Sequence, residues 1–91
     1  MDKDTIKSDL LSFLKKGNPM IAKQKSFPYD KSLIELGLMD SFGVIEVITY
    51  LEKKYKISVD DDEITKEKFG SFNKIVNLTF NKIKSGTKVF D

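Results

Sequence analysis

The stretch Leu33-Ile34-Glu35-Leu36-Gly37-Leu38-Met39-Asp40-Ser41-Phe42 decides how this chain is read. As far as Met39 the apolar residues keep no sustained period. From Asp40 onward the pattern changes: Val44, Ile45, Val47, Ile48, Leu51 and Tyr55 form a broad apolar stripe at helical spacing, while Phe42, Glu46 and Lys53 project from the other side. A helix over about residues 41–56 follows from that spacing. Asp40 suits its N-cap, because a carboxylate there can accept a hydrogen bond from an otherwise unpaired N–H of the first turn. Ser41 then stands at the positive end of the helix dipole. Taken alone, Asp40-Ser41-Phe42 is no more than a cap, since Asp and Ser are favoured at helix starts for that reason.

Working outward, Ile6, Leu10, Phe13 and Leu14 share one stripe and predict a helix over 5–16, stopped by Gly17-Asn18-Pro19. Residues 17–40 form a long connection. A connection of that length in a small domain needs anchors, and Leu33 with Leu36, three apart, are expected to supply them by burial. Gly37 allows a tight turn ahead of Ser41. After Ile57 and Val59, the run Asp60-Asp61-Asp62-Glu63 suits a helix N-terminus, and a short helix is expected over 63–69. Ser71 is the expected N-cap of a last helix over 71–84, in which Phe72, Ile75, Val76, Thr79 and Ile83 share a face until Ser85-Gly86 stops it. The expectation is one all-α domain over 1–91: three main helices plus one short one, a long first loop, and a tail at 85–91.

Composition narrows the chemistry. With no Cys and no His, the chain cannot assemble a Cys-His or Ser-His-Asp site, lacks the usual zinc ligands, and forms no disulfides. No glycine-rich phosphate loop is present, and the chain reads as a non-enzyme. An EF-hand loop started at Asp60 puts Thr65 where the turn glycine belongs and Ile64 at a ligand position, so no metal site is expected. No apolar run approaches the roughly 20 residues that span a bilayer, and the first residues lack a signal-peptide core, so a cytoplasmic protein without membrane insertion is expected. The net charge is +2, but all 16 basic residues are Lys and none is Arg, a weak basis for reading nucleic acid. The middle of the chain is its acidic part: residues 32–70 carry five Lys against nine acids.

The ordered set from Leu33 to Phe42, followed by Ile45-Glu46, Leu51-Glu52, Tyr55, Ile57 and Val59, resembles the acyl carrier and peptidyl carrier superfamily. The wording Asp40-Ser41-Phe42-Gly43 is similar to that of the D-alanyl carrier proteins. The likeness is strong over 33–59, continues to Ile83, and is weak over the first thirty residues. It implies an acyl-carrier-like bundle in which Ser41 receives covalent 4′-phosphopantetheine from a transferase using coenzyme A. The thiol of that arm would hold an acyl or aminoacyl cargo as a thioester. It also implies that Asp40 helps the transferase hold its metal ion, and that loading ligases or synthases are further partners.

A partner face is expected on the outward side of the helix that Ser41 begins: Phe42, Ile45, Glu46, Thr49, Glu52 and Lys53, with Tyr50 also within reach. Of the aromatic residues Phe42, Tyr50 and Phe69, only Phe42 lies opposite Val47 and Leu51 on a helical wheel, which places it near the exposed face. Lys53, Lys54 and Lys56 break the strongly acidic character of fatty-acid carriers on this helix, and so favour a specialised pathway. The carrier is expected to be a monomer; the rival reading is an interaction module that keeps the carrier fold and is never loaded.

Overall fold

The computed structural model describes residues 2–23 and 26–85. It contains α1 (Lys3–Gly17), α2 (Pro19–Ala22), α3 (Ser41–Tyr55), a 3₁₀ turn (Asp61–Glu63), α4 (Lys66–Phe69) and α5 (Phe72–Ser85). Among the described residues there is no strand, only an isolated bridge between Ser32 and Ser71. The architecture is the expected all-α, acyl-carrier-like bundle. The expected tail lies outside the described residues beyond Ser85, and so does Gly86 of the expected stop.

Each long helix starts where a short polar side chain meets the first turn. Asp2 Oδ1 accepts from Thr5 N–H at 2.9 Å, Asp40 Oδ1 from Gly43 N–H at 2.8 Å, and Ser71 Oγ from Lys74 N–H at 3.3 Å. The apolar stripes then face one another. Ile6, Leu10 and Leu14 from α1, Val47 and Leu51 from α3, and Phe72, Ile75 and Val76 from α5 form the buried core, joined by Ile21, Leu33, Leu38, Ile57 and Phe69. Phe69 is thus a core residue. On α3 the stripe is narrower than the spacing suggests: Val44, Ile48 and Tyr55 are half-buried, and Ile45 is exposed.

The short elements differ from expectation in instructive ways. Pro19–Ala22 is a separate helix of four residues inside the connection expected to be loop, begun by Asn18 as N-cap with Pro19 in the first turn. The single short helix expected over 63–69 is two pieces, 61–63 and 66–69, the second capped by Thr65 Oγ1 accepting from Lys68 N–H at 3.2 Å. The helix expected to reach Lys56 ends at Tyr55, because Lys56 takes a left-handed conformation (φ 58°) that turns Ile57 inward.

The long connection is anchored, but not by the pair expected. Leu33 is buried; Leu36 is 47% exposed. The reason is Gly37, whose φ of 75° reverses the chain. Leu36 N–H donates to Ser32 O (3.1 Å), Gly37 N–H to Ile34 O (3.0 Å), and Leu38 and Met39 N–H both to Leu33 O (2.9 and 3.2 Å). That turn carries Leu38, not Leu36, back into the core beside Leu33. Upstream, the rings of Phe27 and Tyr29 meet Phe72 edge-on at 5.1 and 5.2 Å, and Tyr29 O accepts from Asn73 N–H at 3.0 Å, fastening the loop to the start of α5.

Polar links also join the elements around this core. Tyr55 Oη donates to Asp9 Oδ2 at 2.9 Å, tying α3 to α1. Burial, with Asp9 beside it, pushes the Tyr55 phenol well above its usual range and keeps it a donor. Glu52 turns its carboxylate to the Val59 N–H at 2.9 Å, holding the chain that leaves α3. Glu63 pairs with Lys82 at 2.7 Å, pinning the 3₁₀ turn to α5, and also accepts from Asp60 N–H at 2.9 Å. No described helix is long and apolar enough to cross a membrane.

Candidate functional site at the start of α3

Ser41 is the first residue of α3 and is exposed. Its position is set from both sides. Behind it, the Gly37 turn delivers Leu38 and Met39 in a fixed direction. Ahead of it, Asp40 caps the helix through the Gly43 N–H, and Asp40 O accepts from Val44 N–H at 3.1 Å. The first-turn N–H groups point out of the helix end, where their partial positive charge favours an anionic substituent.

Gly43 completes this corner. A Cβ built there would meet Met39 Cγ at 2.9 Å and Asp40 Oδ1 at 3.5 Å, so the absence of a side chain lets Met39 fold over the first turn of α3. Beside Ser41 opens a groove of about 930 Å³ between the end of α1 and the start of α3. Leu14, Ile21, Leu38 and Val47 give it an apolar floor, while Lys16, Asn18, Asp40 and Ser41 give it a polar edge. A second, open hollow of about 590 Å³ lies along α3, lined by Phe13, Phe42, Ile45, Glu46, Thr49, Tyr50, Lys53 and Lys54. Phe13, Phe42 and Glu46 border both and form the ridge between them.

The expected partner residues mostly converge on that second hollow. Phe42 is 67% and Ile45 58% exposed, unusually high for residues of their size. Glu46, Thr49 and Lys53 are exposed beside them, the Thr49 hydroxyl bonding back to Ile45 O at 2.9 Å. Two residues depart from the expectation. Glu52 is half-buried and engaged with Val59, and so belongs to the fold rather than the face. Tyr50 is half-buried, its ring stacked on Phe13 at 4.2 Å and 14°. Through that stack, α1 contributes to the wall of the hollow. Among the described residues no cluster of acidic, His or Cys side chains is arranged to hold a metal ion.

Comparison with known proteins bears directly on this corner. Residues 21–78 match the family described as the phosphopantetheine attachment site, a segment that contains α3 whole and the turn before it. The chain belongs to that family. It is accordingly a carrier domain rather than an enzyme, and its prosthetic group is covalent 4′-phosphopantetheine. Among similar proteins are the D-alanyl carrier protein of Streptococcus mutans, 30% identical over 71 residues (78% of this chain, 86% of the relative), and that of Streptococcus suis, 35% identical over 48 residues (53% of this chain, 61% of the relative). That of Bacillus velezensis is 35% identical over 48 residues, 53% of this chain and 62% of the relative. In the Streptococcus suis and Bacillus velezensis comparisons the chain thus spans less than two thirds of the relative's length.

The residues present fit the prosthetic group. An exposed hydroxyl at a helix start and a groove with a polar edge and apolar floor together suit a phosphodiester followed by a long, partly apolar arm. When bound, the arm supplies a thiol for thioester formation. This chain's own residues offer an exposed hydroxyl, a helix end that tolerates negative charge, and the exposed faces around it.

Proposed function

We propose that Ser41 is the attachment residue and that the domain carries an acyl or aminoacyl group as a thioester, presenting it to partner enzymes of a specialised pathway. The observation that carries this reading is the geometry of Ser41, exposed as first residue of a helix capped by Asp40 and bordering the large groove. The similarity to D-alanyl carrier proteins favours an aminoacyl cargo. Ser41 Oγ attacks the pantetheine-bearing phosphorus of coenzyme A and gives up its proton, the P–O bond of the coenzyme's pyrophosphate breaks, and adenosine 3′,5′-bisphosphate leaves. Asp40 keeps the helix start in place and, as the family resemblance implies, assists the transferase in holding its metal. The partners are a phosphopantetheinyl transferase and a loading ligase or synthase, the latter reading Phe42, Ile45, Glu46, Thr49 and Lys53 on a monomeric, cytoplasmic carrier.

The test is mass spectrometry after incubation with coenzyme A and several broad-specificity transferases. The intact protein should gain one phosphopantetheinyl group, and peptide mapping should place it on Ser41. Ser41→Ala should abolish the gain while changing stability by no more than about 0.5 kcal/mol, since the hydroxyl is exposed and Asp40 remains as cap. A wild-type protein that stays unmodified with all transferases would leave the domain as an unloaded interaction module.

A further inference from the structure

Asn18 lies twenty-three positions before Ser41 and carries no obvious chemistry, yet its side chain is committed at both ends. Its Oδ1 accepts from Met20 N–H at 2.9 Å and Ile21 N–H at 3.4 Å, capping α2. Its Nδ2 donates to Leu38 O at 2.7 Å. Its own N–H donates to Leu14 O at 3.0 Å, closing α1. One residue therefore ends one helix, begins the next, and grips the peptide that leads into the Ser41 corner.

The remaining hydrogen bonds that shape this corner are local. Leu38 and Met39 N–H bond to Leu33, Gly43 N–H to Asp40, and Val44 N–H to Asp40. They fix the shape of the turn, whereas the bond from Asn18, together with the burial of Leu33 and Leu38, fixes where that turn sits relative to α1 and α2. The residue types explain why Asn is used. Asp would cap α2 equally well but has no donor for Leu38 O, and places a carboxylate against a carbonyl. Ser caps but is too short to reach Leu38 as well, and Ala does neither.

We infer that Asn18 is a positioning residue for phosphopantetheine attachment, holding the Leu38–Ser41 segment in the orientation that a transferase reads. It touches neither cofactor nor reacting atoms and acts through the Leu38 carbonyl. The inference rests on the assignment of Ser41 proposed above. Its loss should loosen presentation rather than chemistry, so KM for the carrier should rise while kcat stays near that of wild type.

The experiment compares wild type, Asn18→Asp and Asn18→Ser as apo-proteins. Both variants keep a capping oxygen and lose one hydrogen bond, so the stability read from urea midpoints should fall by no more than that bond is worth. A lost hydrogen bond of ordinary strength corresponds to a change of about tenfold. Amide exchange at Met39, Gly43 and Val44 should accelerate by about that factor in both variants, with Leu51 and Ile75 affected no more than the midpoint shift requires. Transferase kcat/KM should fall by about the same factor. In Asn18→Asp alone, the exchange difference should shrink as pH falls toward about 4, where the new carboxyl gains an O–H that can donate to Leu38 O. Unchanged exchange at Met39 to Val44, or wild-type kcat/KM in both variants, would overturn the inference. If the wild type itself takes up no phosphopantetheine, the Ser41 assignment fails and with it the positioning role, while the exchange data still report whether Asn18 orders the turn. Should Asn18→Asp fold poorly, Asn18→Ser decides the outcome.

Discussion

Leu36 and Leu38 flank Gly37, and the turn sends them in opposite directions: Leu38 is 5% exposed, Leu36 47%. Truncating each to Ala tests that reversal. The substitution deletes three carbons, and at about 0.8 kcal/mol for each buried CH₂ the transfer loss at Leu38 is about 2.4 kcal/mol. A residual cavity adds to this in closed cores, where Leu→Ala ranges over about 2–5 kcal/mol. Leu38, however, floors an open groove into which side chains and water can settle. The expected total is therefore at the lower end, about 2–3 kcal/mol. At Leu36 roughly half the surface is already in water, and about 1 kcal/mol or less is expected. The chain has no Trp and three Tyr, so far-UV circular dichroism in urea is the natural assay. With an unchanged m-value, the midpoint should fall at least twice as far for Leu38→Ala as for Leu36→Ala. Equal losses, or a larger loss at Leu36, would refute the argument that the left-handed Gly37 selects which leucine is buried.

The Glu63–Lys82 pair makes stability depend on acidity. Burial pushes the Glu63 carboxyl up, but the Lys82 ammonium and the Asp60 N–H outweigh it and hold the group below its ordinary 4.5. The unfolded chain then binds this proton more readily than the folded one, so the contribution is full above about pH 5 and drains away as pH falls through the lowered folded value. Urea midpoints should accordingly decline less between about pH 5 and pH 3 in Glu63→Gln than in wild type; parallel declines would show that the pair carries no linkage. On the outward face, Phe42→Ala should leave the midpoint within about 0.5 kcal/mol of wild type while slowing loading of the phosphopantetheine form by its native partner. An unchanged loading rate would remove Phe42 from the docking face.

The long helices are legible in the sequence because each rests on a local signal, a stripe of period 3.6, and two starts are legible because Asp40 or Ser71 precedes the stripe; the first helix begins at Lys3, two residues before the expected start, because Asp2 caps it. The corner at Ser41 is legible for the same reason, since Asp40 needs only the next three residues to act as a cap. What escapes is set by contacts across the chain or by backbone reversal. Leu33 and Leu36 look like partners only if the segment between them is helical, and Gly37 makes it a turn in which Leu33 and Leu38 share a side. Glu52 reads as an outward acid on a helical wheel, yet its carboxylate serves an N–H seven residues later, after the chain has left the helix. The four-residue helix at Pro19–Ala22 is too short to show a period. Its signal, an Asn followed by Pro, is present but serves equally to end the preceding helix and to start a new one.

The two sides of α3 answer to different demands. Val47 and Leu51 are almost wholly enclosed and engage the rest of the bundle, while Phe42, Ile45 and Lys53 stand in solvent. On the function proposed above, one helix thus carries two messages, one addressed to its own fold and one to other proteins. Mutation can rewrite the second without disturbing the first. A lineage of such domains is therefore able to change clients one exposed residue at a time while every intermediate still folds.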